Sequence, residues 1–398
     1  MNCKSLSTIM VIVLVFISTA RAVEMRGSIS GEYRHFNTPA VLEEQKDTFI
    51  SFSIEPEFYT SWNEEKQSIT LAPFYRWDEY DEQRSHADLR EFFWLYIGAN
   101  YEIVVGIGKV FWGVTEWQHL VDIINQTDLV ENIDGEDKLG QAMVSTTLLT
   151  DYGSFEIYVL PFFRERRFPG KQGRLRSVPY VEMDIPAQYE SDNKNHHIDW
   201  AMRWSHNFDY LDLGISFFKG TGREPLFNLS TNKAGEQVLV PFYPQIQQLG
   251  LELQHVTGAW LWKLEAIYRE QKSGSYSAST AGFEYTSPGL LNTIVDLGLV
   301  VEYLYDDRGD KAPTAFEDDI MLGLRISPND VQNTQFLLAL IKDIDTSGRM
   351  IRLESSRRLG DKFTLSLEAS LFSGIEQTDP LSNFRRDDFA QAELAYHF

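Results

Sequence analysis

Few side chains in this sequence have the types and spacing that covalent chemistry needs. Asp199, Ser205 and His206 supply the types of an orienting acid, a nucleophile and a base. Neighbours on an extended strand point to opposite faces, however, so Ser205 and His206 diverge. No G-x-S-x-G, H-E-x-x-H or phosphate-cradling glycine-rich loop occurs. His196 and His197 offer two imidazoles to a transition metal without a third ligand nearby. The acidic runs DEYDE (78–82) and FEDD (316–319) lack the glycine and spacing of a calcium-binding loop. No catalytic residue, metal site or cofactor is expected.

What remains is charge. RERRFPGKQGRLR gathers Arg164, Arg166, Arg167, Lys171, Arg174 and Arg176 in one segment, a set suited to phosphate or another anion, or to an ordinary solvated loop. A second charged set recurs at every other residue: Glu55, Glu57, Arg76, Arg203, Lys263, Glu265, Arg269, Arg352, Glu354 and Glu368. A third lies between 112 and 140, where Glu116, Asp122, Asp128 and Glu131 interrupt an apolar run.

The elements that must position these groups are strands. In TFISFSIEPEFYTSW, Ile50, Phe52, Ile54, Phe58 and Trp62 alternate with mostly polar residues, and AWLWKLEAIYRE and DKFTLSLEASLFS repeat the period of two. About 18 such segments, with 16 as the alternative count, start near 24, 47, 66, 88, 100, 141, 152, 196, 208, 245, 258, 274, 295, 318, 334, 348, 361 and 387. Connections after even strands are generally tight; those after odd strands include all the long ones. Short turns at one end, long loops at the other and an even strand count are the plan of a membrane-spanning antiparallel β-barrel. The expected fold is all-β, one barrel over 23–398, with a third loop at about 112–140.

Residues 1–22 read as a signal peptide: Lys4, an apolar core from Ile9 to Ile17, then Ala20-Arg-Ala22. Without them the chain carries 34 basic and 58 acidic residues and no cysteine. A net charge of about −24 excludes nucleic acid as a natural partner. No segment reaches the ~18 consecutive apolar residues of a spanning helix. In a barrel the charged stripe faces a lumen, which suits passage of small solutes with a mild cation preference.

Two resemblances extend this reading. The ending AQAELAYHF, with alternate apolar residues and a final Phe398, resembles the C-terminal signature of bacterial outer-membrane proteins. It implies recognition by the barrel-assembly machinery and an outer-membrane location, with lipid and lipopolysaccharide as surroundings. The run GKVFWG…LVDIINQTDLV is similar to a pattern G-[KR]-x-x-x-x-W-G followed by I-N-x-x-D in an uncharacterised proteobacterial family of porin-like outer-membrane proteins. Here the glycines are closer together and Gln126 stands where proline is common. The resemblance covers about 30 residues and marks Lys109, Trp112, Asn125 and Asp128 as anchors of an inward-folded third loop. Leu120, Val121, Ile123, Ile124, Leu129, Val130 and Ile133 suggest a short amphipathic helix on the inner wall, with Glu116, Asp122, Asp128 and Glu131 facing the channel or the outside. The alternatives are a channel dedicated to one solute, for uptake or export, and a barrel enzyme.

Overall fold

The computed structural model describes residues 22–398. The expected signal peptide lies outside the described residues except for Ala22. In chain order the strands begin with β1 (Glu24–Phe36), β2 (Thr48–Trp62), β3 (Gln67–Asp78), β4 (His86–Ile97), β5 (Tyr101–Gly108), β6 (Gln141–Thr150) and β7 (Gly153–Leu160). Next come β8 (Gln188–Tyr189), β9 (Asp199–Phe208), β10 (Leu211–Thr221), β11 (Leu226–Thr231), β12 (Gln237–Tyr243), β13 (Gln245–Thr257) and β14 (Trp260–Gln271). The chain ends with β15 (Gly274–Ser287), β16 (Asp296–Asp306), β17 (Asp318–Ser327), β18 (Gln335–Asp343), β19 (Arg349–Leu359), β20 (Phe363–Ser373) and β21 (Phe389–His397).

Eighteen of these form one antiparallel sheet, and β8, β11 and β12 form a small separate one in the long loops. Each barrel strand pairs with the next along the chain, and β1 pairs with β21 from Ser28↔His397 to Phe36↔Phe389. The sheet therefore closes on itself and has no free edge, as a lipid environment demands. Gly27 and Phe398 extend the seam by exchanging both backbone hydrogen bonds at 3.0 Å. Every start expected from the sequence falls within three residues of a barrel strand's first residue.

Strand β3 shows why this chain makes a barrel wall. Its burial alternates strictly, with Ser68, Thr70, Ala72, Phe74, Arg76 and Asp78 buried. Arg76 is 6% exposed while its neighbours Tyr75 and Trp77 are 48% and 43% exposed. The arrangement of a soluble protein is inverted. Ile50, Phe52, Ile54, Leu249, Trp262, Leu322, Leu353 and Leu367 are likewise exposed on other strands, so an apolar surface surrounds the wall. These strands cross a membrane. The aromatic side chains Trp77, Trp260 and Tyr305 are also exposed on this surface.

Turns at one end of the barrel contain between two and eight residues, whereas the opposite end carries the long connections, including 109–140, 161–198 and 222–244. The outer ends of β1 and β21, at Glu24 and His397, lie at the short-turn end.

Candidate functional site

The loop joining β5 to β6, residues 109–140, folds into the barrel and contacts its inner wall at several heights. The expected helix is absent: this segment is turns and isolated bridges. The apolar residues are used without helical spacing. Val121, Ile123 and Ile124 pack with Trp112 against inward side chains such as Tyr158, Phe218, Ile246 and Ile267, so this part of the interior is dry.

Backbone groups that no helix satisfies are met by wall side chains. Glu265 of β14, fully buried, accepts hydrogen bonds from Val114 N (2.7 Å), Thr115 N (3.0 Å), Val121 N (3.2 Å) and Thr115 Oγ1 (2.6 Å). Glu302 of β16, also buried, accepts from Glu116 N at 2.6 Å and Trp117 N at 3.0 Å. Gly113 permits the close approach: its φ is +146°, and a Cβ there would lie 3.0 Å from Glu265 Oε1. Asn125 closes the loop's neck. Its amide donates to Gly108 O and Leu139 O, each at 2.9 Å, and its oxygen accepts from Val110 N at 2.8 Å.

Four acidic residues of the loop are paired with wall cations. Glu116 meets Arg325 at 2.7 Å, Asp128 meets Arg90 at 2.8 Å, and Glu131 meets Arg76 at 2.7 Å. Asp134 meets Arg352 at 2.6 Å, and Asp122 is held by Lys138 within the loop at 3.0 Å. The expectation that Asp122 and Asp128 face channel or solvent is thus corrected, since both carboxylates are buried in ion pairs. Of the four expected anchors, Trp112, Asn125 and Asp128 are buried, and Trp112 packs edge-on against Tyr158 at 5.7 Å. Lys109 instead is exposed and borders a cavity.

The wall charges divide in the same way. Glu55, Glu354 and Glu368 border open cavities. Glu57 pairs with Arg26 at 2.6 Å, Lys263 lies 3.7 Å from Glu116, and Arg269 pairs with Glu224 at 2.9 Å. Arg203 bridges Glu156 at 2.8 Å and Glu252. Part of the charged stripe is therefore dry: Arg76, Glu265, Arg269 and Glu302 are buried. Burying an ion costs several kcal/mol unless it is paired; loop 109–140 supplies the partners of Arg76, Glu265 and Glu302, and Glu224 that of Arg269.

The basic segment also folds inward. Arg164 pairs with Asp88 at 2.5 Å, Arg166 donates to Gln126 at 3.0 Å, and Arg174 meets Asp387 at 2.6 Å and Asp47 at 3.2 Å. Arg176 donates to the carbonyls of Ser177 and Lys171. Arg167 forms a backbone bridge with Asp128. Asp199, considered above as part of a catalytic set, is held by Arg223 at 2.7 Å and His197 at 2.8 Å. His206 instead joins the aromatic row of Trp204 and Phe208.

Sequence reasoning missed Arg90 and Arg223. Arg90 was readable from the alternation His86, Asp88, Arg90. Arg223, whose guanidinium donates to Ile124 O at 3.0 Å from a long loop, gives no periodic signal.

Water-accessible space remains on the short-turn side of the loop. One cavity of about 610 Å³ is lined by Glu116, Asp134, Glu136, Asp137, Glu354, Glu368 and Glu393, with Arg325 and Arg352 as its cations among the described residues. Another of about 480 Å³ adjoins it, sharing Asn132, Glu136, Asp137, Gln391 and Glu393. Desolvation by the surrounding barrel, together with Glu131 and Asp134, pushes the Asp137 carboxyl up to about 7, although the side chain itself reaches the lumen. Towards the long loops the first cavity meets a narrower space of about 120 Å³, bounded by Trp117, Ile133, Phe316, Leu381 and Phe384.

No protein-family model and no curated protein matches this chain. Among solved structures, a triple mutant of Rhodopseudomonas blastica porin is similar over 95% of this chain and 100% of its own, with 9% identity and a TM-score of 0.44. Another variant of the Rhodopseudomonas blastica porin has 10% identity over the same shares and a TM-score of 0.45. A structure described as "Asymmetric conductivity of engineered proteins" has 10% identity over the same shares and a TM-score of 0.44.

Proposed function

We propose that this chain is a porin-like channel of a bacterial outer membrane, passing small solutes passively and favouring cations. The carrying observation is the cavity of about 610 Å³ inside a closed barrel, lined by seven carboxylates against two guanidinium groups. Such a lining concentrates cations and repels anions over a distance comparable to the Debye length of about 8 Å. The narrower space where Trp117, Phe316 and Phe384 stand beside Glu116, Asp134 and Arg352 is the size filter in this reading. It also favours a second reading, a channel dedicated to one class of solute. The barrel-enzyme alternative has less support, because Asp199, Ser205 and His206 do not form a relay.

The Gly27–Phe398 pairing at the seam supports the C-terminal strand as the element presented to the barrel-assembly machinery. The resemblance to the proteobacterial porin-like family belongs to the same proposal. Lipopolysaccharide binding by the basic segment is less supported, because Arg164 and Arg174 already have carboxylate partners. The test is single-channel current across a planar bilayer under a potassium chloride gradient. Discrete steps with a cation-favouring reversal potential are expected. Correctly folded protein without conductance would refute the channel, and an anion-favouring potential would refute the selectivity.

A further inference from the structure

Where loop 109–140 meets β4, three buried side chains face one another with unused lone pairs. His86, at the start of β4, and Asp128 and Glu131, on the loop, each place one ligand atom within 4.8 Å of the other two. His86 Nε2, Asp128 Oδ1 and Glu131 Oε1 are all buried and have no hydrogen-bond partner. The other atom of each group is engaged. His86 Nδ1 lies 2.8 Å from Arg84 O, which can only accept, so Nδ1 carries the hydrogen and Nε2 faces the carboxylates. Arg90 holds Asp128 Oδ2 at 2.8 Å, and Arg76 Nε holds Glu131 Oε2 at 2.8 Å.

Three acceptors turned towards one another in a buried place require a cation between them. A proton on Nε2 meets that need poorly. Nε2 lies 3.6 Å from Asp128 Oδ2 and 3.9 Å from Glu131 Oε1, beyond hydrogen-bond reach. The 3.9 Å between Nε2 and Glu131 Oε1 suits an ion between them, since donors about 2.1 Å from a tetrahedral metal stand roughly 3.4 Å apart, while the Asp128 oxygen at 3.6 Å is the one that Arg90 also holds. The surrounding contacts are those of outer-shell partners, an imidazole tied to a carbonyl and each carboxylate steadied through its second oxygen.

We infer that His86, Asp128 and Glu131 form a binding site for a divalent transition metal of the zinc class. One nitrogen and two oxygens suit such an ion better than calcium or magnesium, which favour more oxygen ligands. Arg76 and Arg90 reduce the negative charge available to the ion, so the metal exchanges rather than staying permanently. Because one ligand is on the wall and two are on the loop, the bound ion fastens the loop to the barrel.

The test uses full-length mature protein without a polyhistidine tag, folded in detergent micelles, titrated with zinc chloride by calorimetry. One zinc per chain is expected. It should persist in a His196→Ala/His197→Ala variant, which removes the neighbouring surface pair, and weaken by roughly tenfold or more in His86→Gln. No binding by the wild type, or unchanged affinity in His86→Gln, overturns the site. If His86→Gln does not fold, zinc anomalous scattering from wild-type crystals decides. A peak among the three side chains supports the proposal, and its absence there refutes it.

Discussion

Replacing Glu265 with alanine should release the inward loop while leaving the barrel closed. The carboxylate is fully buried and accepts three backbone N–H groups and one hydroxyl from residues 114–121. Hydrogen bonds to a charged group contribute about 1.5–3 kcal/mol each, and an orphaned buried donor costs about 1–3 kcal/mol. Water entering the vacated space recovers part of that loss, leaving a net cost on the order of 3–5 kcal/mol. At about 1.4 kcal/mol per factor of ten, the docked-to-undocked ratio falls by roughly two to three and a half powers of ten. The strand ladders of β14 with β13 and β15 involve only backbone, so the barrel should survive. Bilayer recordings should show larger or noisier conductance, and trypsin should cut at Lys109 or Lys138 in the folded barrel. Glu265→Gln, which keeps one acceptor oxygen, should fall between the two. Wild-type conductance and unchanged protection in Glu265→Ala would refute the clamp.

Asn125→Ala should open the neck of the loop, costing about 2–4 kcal/mol for three lost hydrogen bonds, read as faster amide exchange at Val110. Glu136→Lys and Glu354→Lys together should move the reversal potential towards anions if the acidic lining sets selectivity; an unchanged potential would remove these residues from the filter. Asp137 titrates near 7 rather than near 4, so it is charged above that pH and neutral below it. Cation preference should accordingly decline from pH 8 to pH 6, and Asp137→Asn should abolish that step. Deleting Phe398 removes the Gly27 pairing and should lower the yield of heat-modifiable folded barrel in membranes.

The wall was legible in the sequence because its rule is local. One residue in two meets lipid, so the alternation in β3 or β14 is visible without knowing any partner. The loop was legible only as an inward, apolar, anchored segment. Its helix failed because Leu120, Val121, Ile123 and Ile124 have helical spacing, yet Glu265, Glu302 and Asn125 offer the backbone other partners. Two of those acceptors lie about 150 and 185 residues away, beyond any window of periodicity. The same distance explains why the dryness of the wall's charges was not legible. Whether Arg76 meets water depends on Glu131, and no strand pattern encodes that.

The seam between β1 and β21 joins Ser28 to His397, roughly 370 residues apart. Loop-closure entropy rises with chain length, and distant pairings slow folding. Sealing the barrel is thus the least local step available to the chain. The apolar patch around Val121 and Ile124 bears on that step, because it touches strands from β6 to β15 at once. It can curve seven of the eighteen wall strands around itself before the two ends meet. The loop that narrows the finished barrel is in this sense also a mandrel for building it. Variants that loosen the loop should therefore fold more slowly, even where the completed barrel is equally stable.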